Sequence, residues 1–485
     1  MALEIMASKL FAPALKSGFL SRPRLTGVLR QSTASKLVLV SAPAGFGKTA
    51  FLADCLAQML DEENALAWLS LDVSDRDPAT FWTGVVTALQ KAVPGLAAGV
   101  MEQLTSSPLP VEQVLITVLQ GLASWSEVPD GQRHEKLHGS DSTPESEKES
   151  PKHELWLMLD DYHLADNREI ATGMVFLLEH LPPSVHALIS TRADPDLPLS
   201  RWRAREELLE IRAADLRLTA EETVEYFNAV HGVDLKAAEA AALSDKTEGW
   251  IAALQLASLS LKGHADVAGF IGRFTGDDRY ILDYLLEEVL AQQPAEIRSF
   301  LLHSSVLDRL TGPLCDAVMG GDAVTSGVSG ESMLAAMERE NLFLIPLDHQ
   351  RQWYRYHRLF ADMLRARLLS EEPELIPQLH ERASHWFEGE AMAAEAIGHA
   401  LAAKNFDRAA HLMEMAATQI RRERRDALFL GWLDELPYEV VRLSPVLTVF
   451  RAFSLMAAGE LDDVEPHLVE AERTMAAVPQ GDDSP

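Results

Sequence analysis

SAPAGFGKTA, residues 41–50, follows the aliphatic run Leu37–Val40 and leads into the amphipathic stretch FLADCLAQML that starts at Phe51. The phosphate-loop spacing is Gly, four residues, then Gly-Lys-Ser/Thr. Here Gly47, Lys48 and Thr49 complete its second half, and Ala42 stands at the first glycine position. Gly45 and Gly47 allow the backbone to bend so that its N–H groups face an anion, and the helix that follows adds its positive end. The candidate cradle is Ala44, Gly45, Gly47, Lys48, Thr49 and Ala50. Lys48 would neutralise β- and γ-phosphates, and Thr49 would ligate Mg²⁺.

A phosphate loop needs a carboxylate at the end of another strand. LWLMLDDYHL supplies one, with Asp160 and Asp161 closing an apolar run. In phosphate-loop chemistry the first acid holds Mg²⁺ through water and the second orients the attacking water. Asp160 is therefore the metal candidate and Asp161 the water-orienting candidate. A further strand ends in STRADPDLPLSRWRAR, which sets Arg192 beside the expected third phosphate, where charge-assisted hydrogen bonds can report its presence.

Around these motifs, short aliphatic strands alternate with helical periods: Leu37–Val40, Leu66–Leu71, Leu155–Leu159, His186–Ser190 and Leu208–Ile211. That alternation predicts an α/β domain with a parallel sheet. The stretch 127–153 is polar and charged, and reads as a loop inserted into that domain. After Arg217 the pattern turns helical, opening with a Thr219/Glu222 capping box. FLIPLDHQRQWYRY (343–356) reads as a hairpin within a winged-helix arrangement. From Pro373 onward the chain is helix-friendly, and ALAAKNFDRAAHLM (from Ala400) resembles LMAAGELDDVEPHL (from Leu455), which suggests TPR-like stacked repeats. The expected division is a nucleotide-binding domain over 1–230, a helical domain over 231–290, a winged helix over 291–370, a helical arm over 371–440 and the start of a repeat over 441–485. The chain ends where such a stack would begin, so a fragment or a naturally shortened form of a longer protein is expected.

The 485 residues carry 73 acidic and 43 basic side chains, a formal net charge of −30, which repels phosphodiester backbones. The run Arg421–Arg425 is the best candidate for a local basic patch, and it reads better as a solvated helix face. Two distant cysteines, no secretory leader pattern and no apolar stretch of membrane-spanning length point to a cytoplasmic chain without disulfides or membrane contact.

The motifs, in order, resemble those of the MalT-type, large ATP-binding LuxR-family transcription activators, which are STAND-class ATPases. The resemblance is carried by SRPRL (21–25), APAGFGKT (42–49), WLSLDVSDRDPATFW (68–82), LMLDDYHL (157–164), STRADPDLPLSRWRAREELLEI (190–211), EGWIAALQLASLSL (248–261) and WYRYHRLFADMLRARL (353–368). It implies that alanine at position 42 is ordinary, that Arg22 and Arg24 contact nucleotide, that Gly249 and Trp250 lie near the base, and that His357 faces the β-phosphate. It further implies an ADP-bound resting monomer with nucleotide between the nucleotide and winged-helix domains. ATP and an inducer, acting through the C-terminal helical region, release it to self-associate, and slow hydrolysis resets it. In that family DNA is bound by a C-terminal domain that is absent from this chain. Two other readings stay open on the residues alone: an ATP-dependent metabolic enzyme such as a small-molecule kinase, and an interaction scaffold with a decayed ATPase site.

Overall fold

A computed structural model describes residues 6–477 apart from 16–18, 32–34, 61–63, 98, 105–110, 128–153, 233–234, 262–265, 277, 321–327, 423–425 and 459–463. The polar insert therefore lies outside the described residues except for Glu127, as do the side chains of the basic run Arg421–Arg425 and part of the second repeat-like segment. The chain divides into two units, one of residues 1–284 with 337–343, the other of 285–336 with 344–485.

The first unit is built on five parallel strands: β1 Leu37–Ser41, β2 Ala65–Ser70, β3 Leu155–Asp160, β4 Val185–Thr191 and β5 Leu208–Arg212, in the order β2-β3-β4-β1-β5. All five strands anticipated from the sequence are present. Every residue of β1, β3 and β4 is buried, because parallel strands are reached by crossovers that lay helices on both faces. This is why they read as unbroken aliphatic runs rather than alternating ones. The helix Pro78–Ala92 starts cleanly: Asp77 caps it through Thr80 N–H, and Pro78 occupies its first turn. It buries Phe81, Trp82, Val85 and Leu89 in the core shared with β1, β2 and β3. The Thr219/Glu222 box forms as read, with Glu222 N–H donating to Thr219 Oγ1 at 3.2 Å and Thr219 N–H to Glu222 Oε2 at 3.0 Å.

The second unit opens with helices Ala295–Ser304 and Gly312–Met319. An antiparallel hairpin of β6 Leu344–Pro346 and β7 Tyr354–Tyr356 follows, where the sequence placed one. Leu310 bridges Tyr354 and widens it. Helix Arg358–Glu371 then packs on Ala295–Ser304. Beyond it, Ile376–Gly389 packs on Ala393–Ala402, which packs on Phe406–Arg422, and Pro445–Ala458 pairs with Val464–Ala477.

Candidate nucleotide site at the carboxyl edge of the sheet

Strand order decides which residues can meet. β4 lies between β1 and β3, with Ser41 beside Thr191 and Leu159 beside Ile189. The residues that end these strands therefore converge: the phosphate loop after β1, Asp160 and Asp161 after β3, and Ser190 to Arg192 after β4.

The loop itself turns through Gly45 and Gly47, with φ of 76° and 74°. These are left-handed values that glycine reaches without a Cβ penalty. The loop is tightly clothed. A Cβ on Gly45 would sit 2.5 Å from Ala252 Cβ and 2.8 Å from Trp250 Nε1, and one on Gly47 would sit 2.9 Å from Ile251 Cδ1. The segment that begins the helix Ile251–Leu261 grips the loop backbone: Trp250 Nε1 donates to Ala44 O at 3.1 Å and Ala252 N to Gly45 O at 3.0 Å. Trp250 is fully buried. Gly249, at φ 68°, lies so close to Leu218 O that a Cβ would come within 2.4 Å.

Lys48 is 6% exposed, and its Nζ donates to Ala42 O at 2.8 Å and Pro43 O at 2.9 Å. An ammonium has three N–H donors, so one remains for an incoming anion. Burial pulls its pKa down to about 8, and Arg192 adds to that, while Asp161 and Asp160 hold it up. Thr49 Oγ1 donates to Asp160 Oδ1 at 3.2 Å, and Ser190 Oγ donates to the same oxygen. Burial and the neighbouring Asp161 push the Asp160 carboxyl above its ordinary range, against those hydrogen bonds and Lys48. A buried carboxylate resisting ionisation beside a threonine hydroxyl is an all-oxygen set suited to a hard cation such as Mg²⁺, with water or phosphate oxygens completing the shell.

Asp161 adopts φ 57°, and its N–H donates to Ser190 Oγ at 3.0 Å. Ser190 thus links the two acids, accepting from one backbone and donating to the other carboxylate. His163 was not singled out from the sequence. Its Nδ1 accepts from Arg192 N–H at 3.3 Å and lies 3.9 Å from Asp161 Oδ1. Burial, Arg192 and Lys48 lower its pKa to about 3, so the ring is neutral at physiological pH. DDYHL carries the signal only as a histidine two residues past the acid pair. Ser190 is a strand-end serine with nothing in its own neighbourhood to mark it.

Arg22 and Arg24 part ways. Arg22 is 2% exposed, stacks over Phe51 at 5.7 Å and donates to Leu216 O at 2.9 Å. Its Nη2 would lie 3.9 Å from a Cβ on Gly47. Burial lowers its pKa to about 10. Arg24 instead clamps Glu222 and the carbonyls of Asp215 and Arg217. His357 belongs to the second unit, where it is 1% exposed and precedes the helix Arg358–Glu371.

The glycine-turned loop after β1 and the acid pair after β3 form a phosphate-loop arrangement at the carboxyl edge of a parallel sheet. Residues 286–376 match the MalT winged helix domain. The chain is 30% identical over 478 residues to the HTH-type transcriptional regulator MalT of Serratia proteamaculans, covering 97% of this chain and 48% of that one. It is also 30% identical over 432 residues to the serine/threonine-protein kinase PknK of Mycobacterium tuberculosis, covering 89% of this chain and 36% of the relative. Among solved structures, the Walker-type ATPase of Pyrococcus abyssi matches with a TM-score of 0.44 and 13% identity, covering 75% of this chain and all of that one. The chain is MalT-like over nearly its whole length and spans less than half the length of these two relatives. Among the described residues, no helix is long and apolar enough to cross a membrane.

Proposed function

We propose that this chain is the ATP/ADP-responsive switch module of a MalT-like transcription regulator. The observation that carries the reading is the meeting of Lys48, Thr49, Asp160, Asp161 and Arg192 at one sheet edge, in a chain whose similarity to MalT runs almost end to end. In this proposal the loop amides and Lys48 hold the phosphates, while Thr49 and Asp160 hold Mg²⁺. Asp161 orients the attacking water, with the neutral ring of His163 beside it. Arg192 discriminates ATP from ADP through charge-assisted hydrogen bonds to the third phosphate. Arg22 supports the loop from beneath through its stack on Phe51. Mg²⁺ would supply charge neutralisation at the leaving and transferred oxygens.

The C-terminal helices are proposed to be the beginning of a TPR-like superhelix that receives an inducer, and DNA binding belongs to a domain outside this chain. The resting form is proposed to hold ADP as a cytoplasmic monomer. ATP with inducer favours self-association, and slow hydrolysis returns the protein to rest. No observation on the described residues favours a small-molecule kinase, which would need a second substrate site.

The test combines nucleotide titration with assembly state. Calorimetry should detect MgADP and a non-hydrolysable ATP analogue on the full chain, and light scattering should find larger species only with the analogue. Lys48→Ala should lose both affinities, because it removes the phosphate-neutralising charge. Tight binding by Lys48→Ala would reject the cradle. A single mass with every nucleotide and inducer fraction would reject the switch.

A further inference from the structure

Seven residues depart from their sequence neighbours. Met337–Phe343 groups with the nucleotide unit, although 285–336 and 344 onward form the other unit and the winged-helix match spans 286–376. This strap comprises the last turn of the helix Gly330–Arg339 and the residues that lead into β6. It is fixed to the carboxyl edge of the sheet at several points. Asn341 Nδ2 donates to Ser41 Oγ at 2.8 Å and to Arg192 O at 2.9 Å. Asp194 N donates to Arg339 O at 2.8 Å, and Ser41 Oγ donates to Asp194 Oδ1 at 2.9 Å. The amide of Asn341 therefore ties the end of β1, where the phosphate loop begins, to the end of β4. The backbone of Arg192 is held on both sides, its N–H by His163 and its carbonyl by Asn341.

Phe343 continues the grip. Its ring lies 6.1 Å from Phe46, between the two loop glycines, and 5.1 Å edge-on from Trp250, the residue that holds Ala44 O. Both strap residues sit in the left-handed region, Asn341 at φ 50° and Phe343 at φ 54°. Asparagine tolerates this, but a bulky aromatic does not adopt it without compensation from its surroundings. Phe343 is 3% exposed. The strained backbone is thus kept by contacts to the phosphate loop itself.

We propose that Asn341 and Phe343 are positioning residues for the nucleotide site, and that docking of the strap is coupled to occupancy of the phosphate loop. Nucleotide fixes Phe46 and the carbonyl edge at Arg192, which tightens the strap. By linkage, the docked strap tightens nucleotide by the same factor. The inference rests on the nucleotide-switch reading above. It goes beyond it in making two residues without any phosphate chemistry of their own the carriers of nucleotide state into the chain that enters β6.

The experiment is hydrogen exchange of the peptide covering 337–347 in the full chain, nucleotide-free and with saturating MgADP or non-hydrolysable ATP analogue, alongside calorimetric affinities. Strap exchange should slow by about 5-fold or more on nucleotide binding, the lower range of usual site-to-site coupling. Asn341→Gly removes both amide hydrogen bonds yet suits the left-handed backbone. It should lose the nucleotide dependence and weaken nucleotide binding by a matching factor, with a near wild-type melting temperature. If that variant does not fold, Phe343→Leu, which stays apolar and removes the ring contacts, makes the same demand. Nucleotide binding with unchanged strap exchange, or variants that bind as tightly as wild type, would overturn the coupling and leave the switch reading intact. Absence of any nucleotide binding by the wild-type chain would remove the switch reading, and the coupling with it.

Discussion

Asp160 is 4% exposed, and its surroundings disfavour its charged form. A carboxyl whose folded pKa is raised contributes favourably below its ordinary value, and that contribution is lost as pH rises through the raised value. At neutral pH without a cation, the ionised group is therefore a liability. Asp160→Asn should raise the stability of the nucleotide-free protein, read as a higher melting temperature at pH 7, and should also stop Mg²⁺-dependent hydrolysis. A melting temperature at or below wild type would show that Asp160 is not held against its charge. Lys48, Thr49 and Asp160 are legible in the sequence because phosphate chemistry imposes local spacing on them. Ser190, His163 and Asn341 are not, because their roles come from neighbours 29 to 300 residues away.

At the level of elements, the phosphate loop is specified twice, by its own glycines and by the segment Gly249–Ala252 folded over it. Gly45→Ala would force a Cβ into Ala252 and Trp250 at a φ of 76°. We expect a loss of about 2–3 kcal/mol in chemical denaturation, together with loss of nucleotide binding. Gly27→Ala is the control, because it lies within the helix Pro23–Gln31 with nothing within 4 Å of its added methyl. That change should stabilise by up to about 1 kcal/mol. Equal effects of the two substitutions would mean that the loop is not clamped. The strands were readable from aliphatic runs and the Thr219 cap from its spacing. The family likeness implied only that Gly249 and Trp250 lie near the base; the approach of Gly249–Ala252 to the loop was not read, since no local propensity draws one toward the other.

For the whole molecule, half-buried histidines held neutral contribute to the response to acid. In the second unit, His380 Nδ1 and His399 Nδ1 lie 2.8 Å apart, and one ring must donate to the other. Burial, then its partner ring, lowers His399 to about 4, and burial lowers His380 as well. Arg365 pushes both rings down, and Asp308 opposes it. In the first unit His163 is lowered to about 3. A histidine with a depressed folded pKa leaves the unfolded chain binding more protons, so its contribution is intact above the ordinary value near 6.5 and declines as pH falls toward the folded value. Melting temperatures should therefore drop between pH 6.5 and 4, by an amount worth about 1–3 kcal/mol for His399, and His399→Asn should flatten that dependence. A wild-type profile that stays level from pH 6.5 to 4 would contradict the neutral pair. The sequence alone determined the five strands, the phosphate loop, the acid pair and the change to a helical half, because each is written in residues adjacent along the chain. The tertiary structure decided which of the strand ends meet, that Arg24 turns to Glu222 while Arg22 stays under the loop, and that Asn341 ties β1 to β4. Those outcomes depend on strand order and on packing between distant segments, which no local pattern encodes.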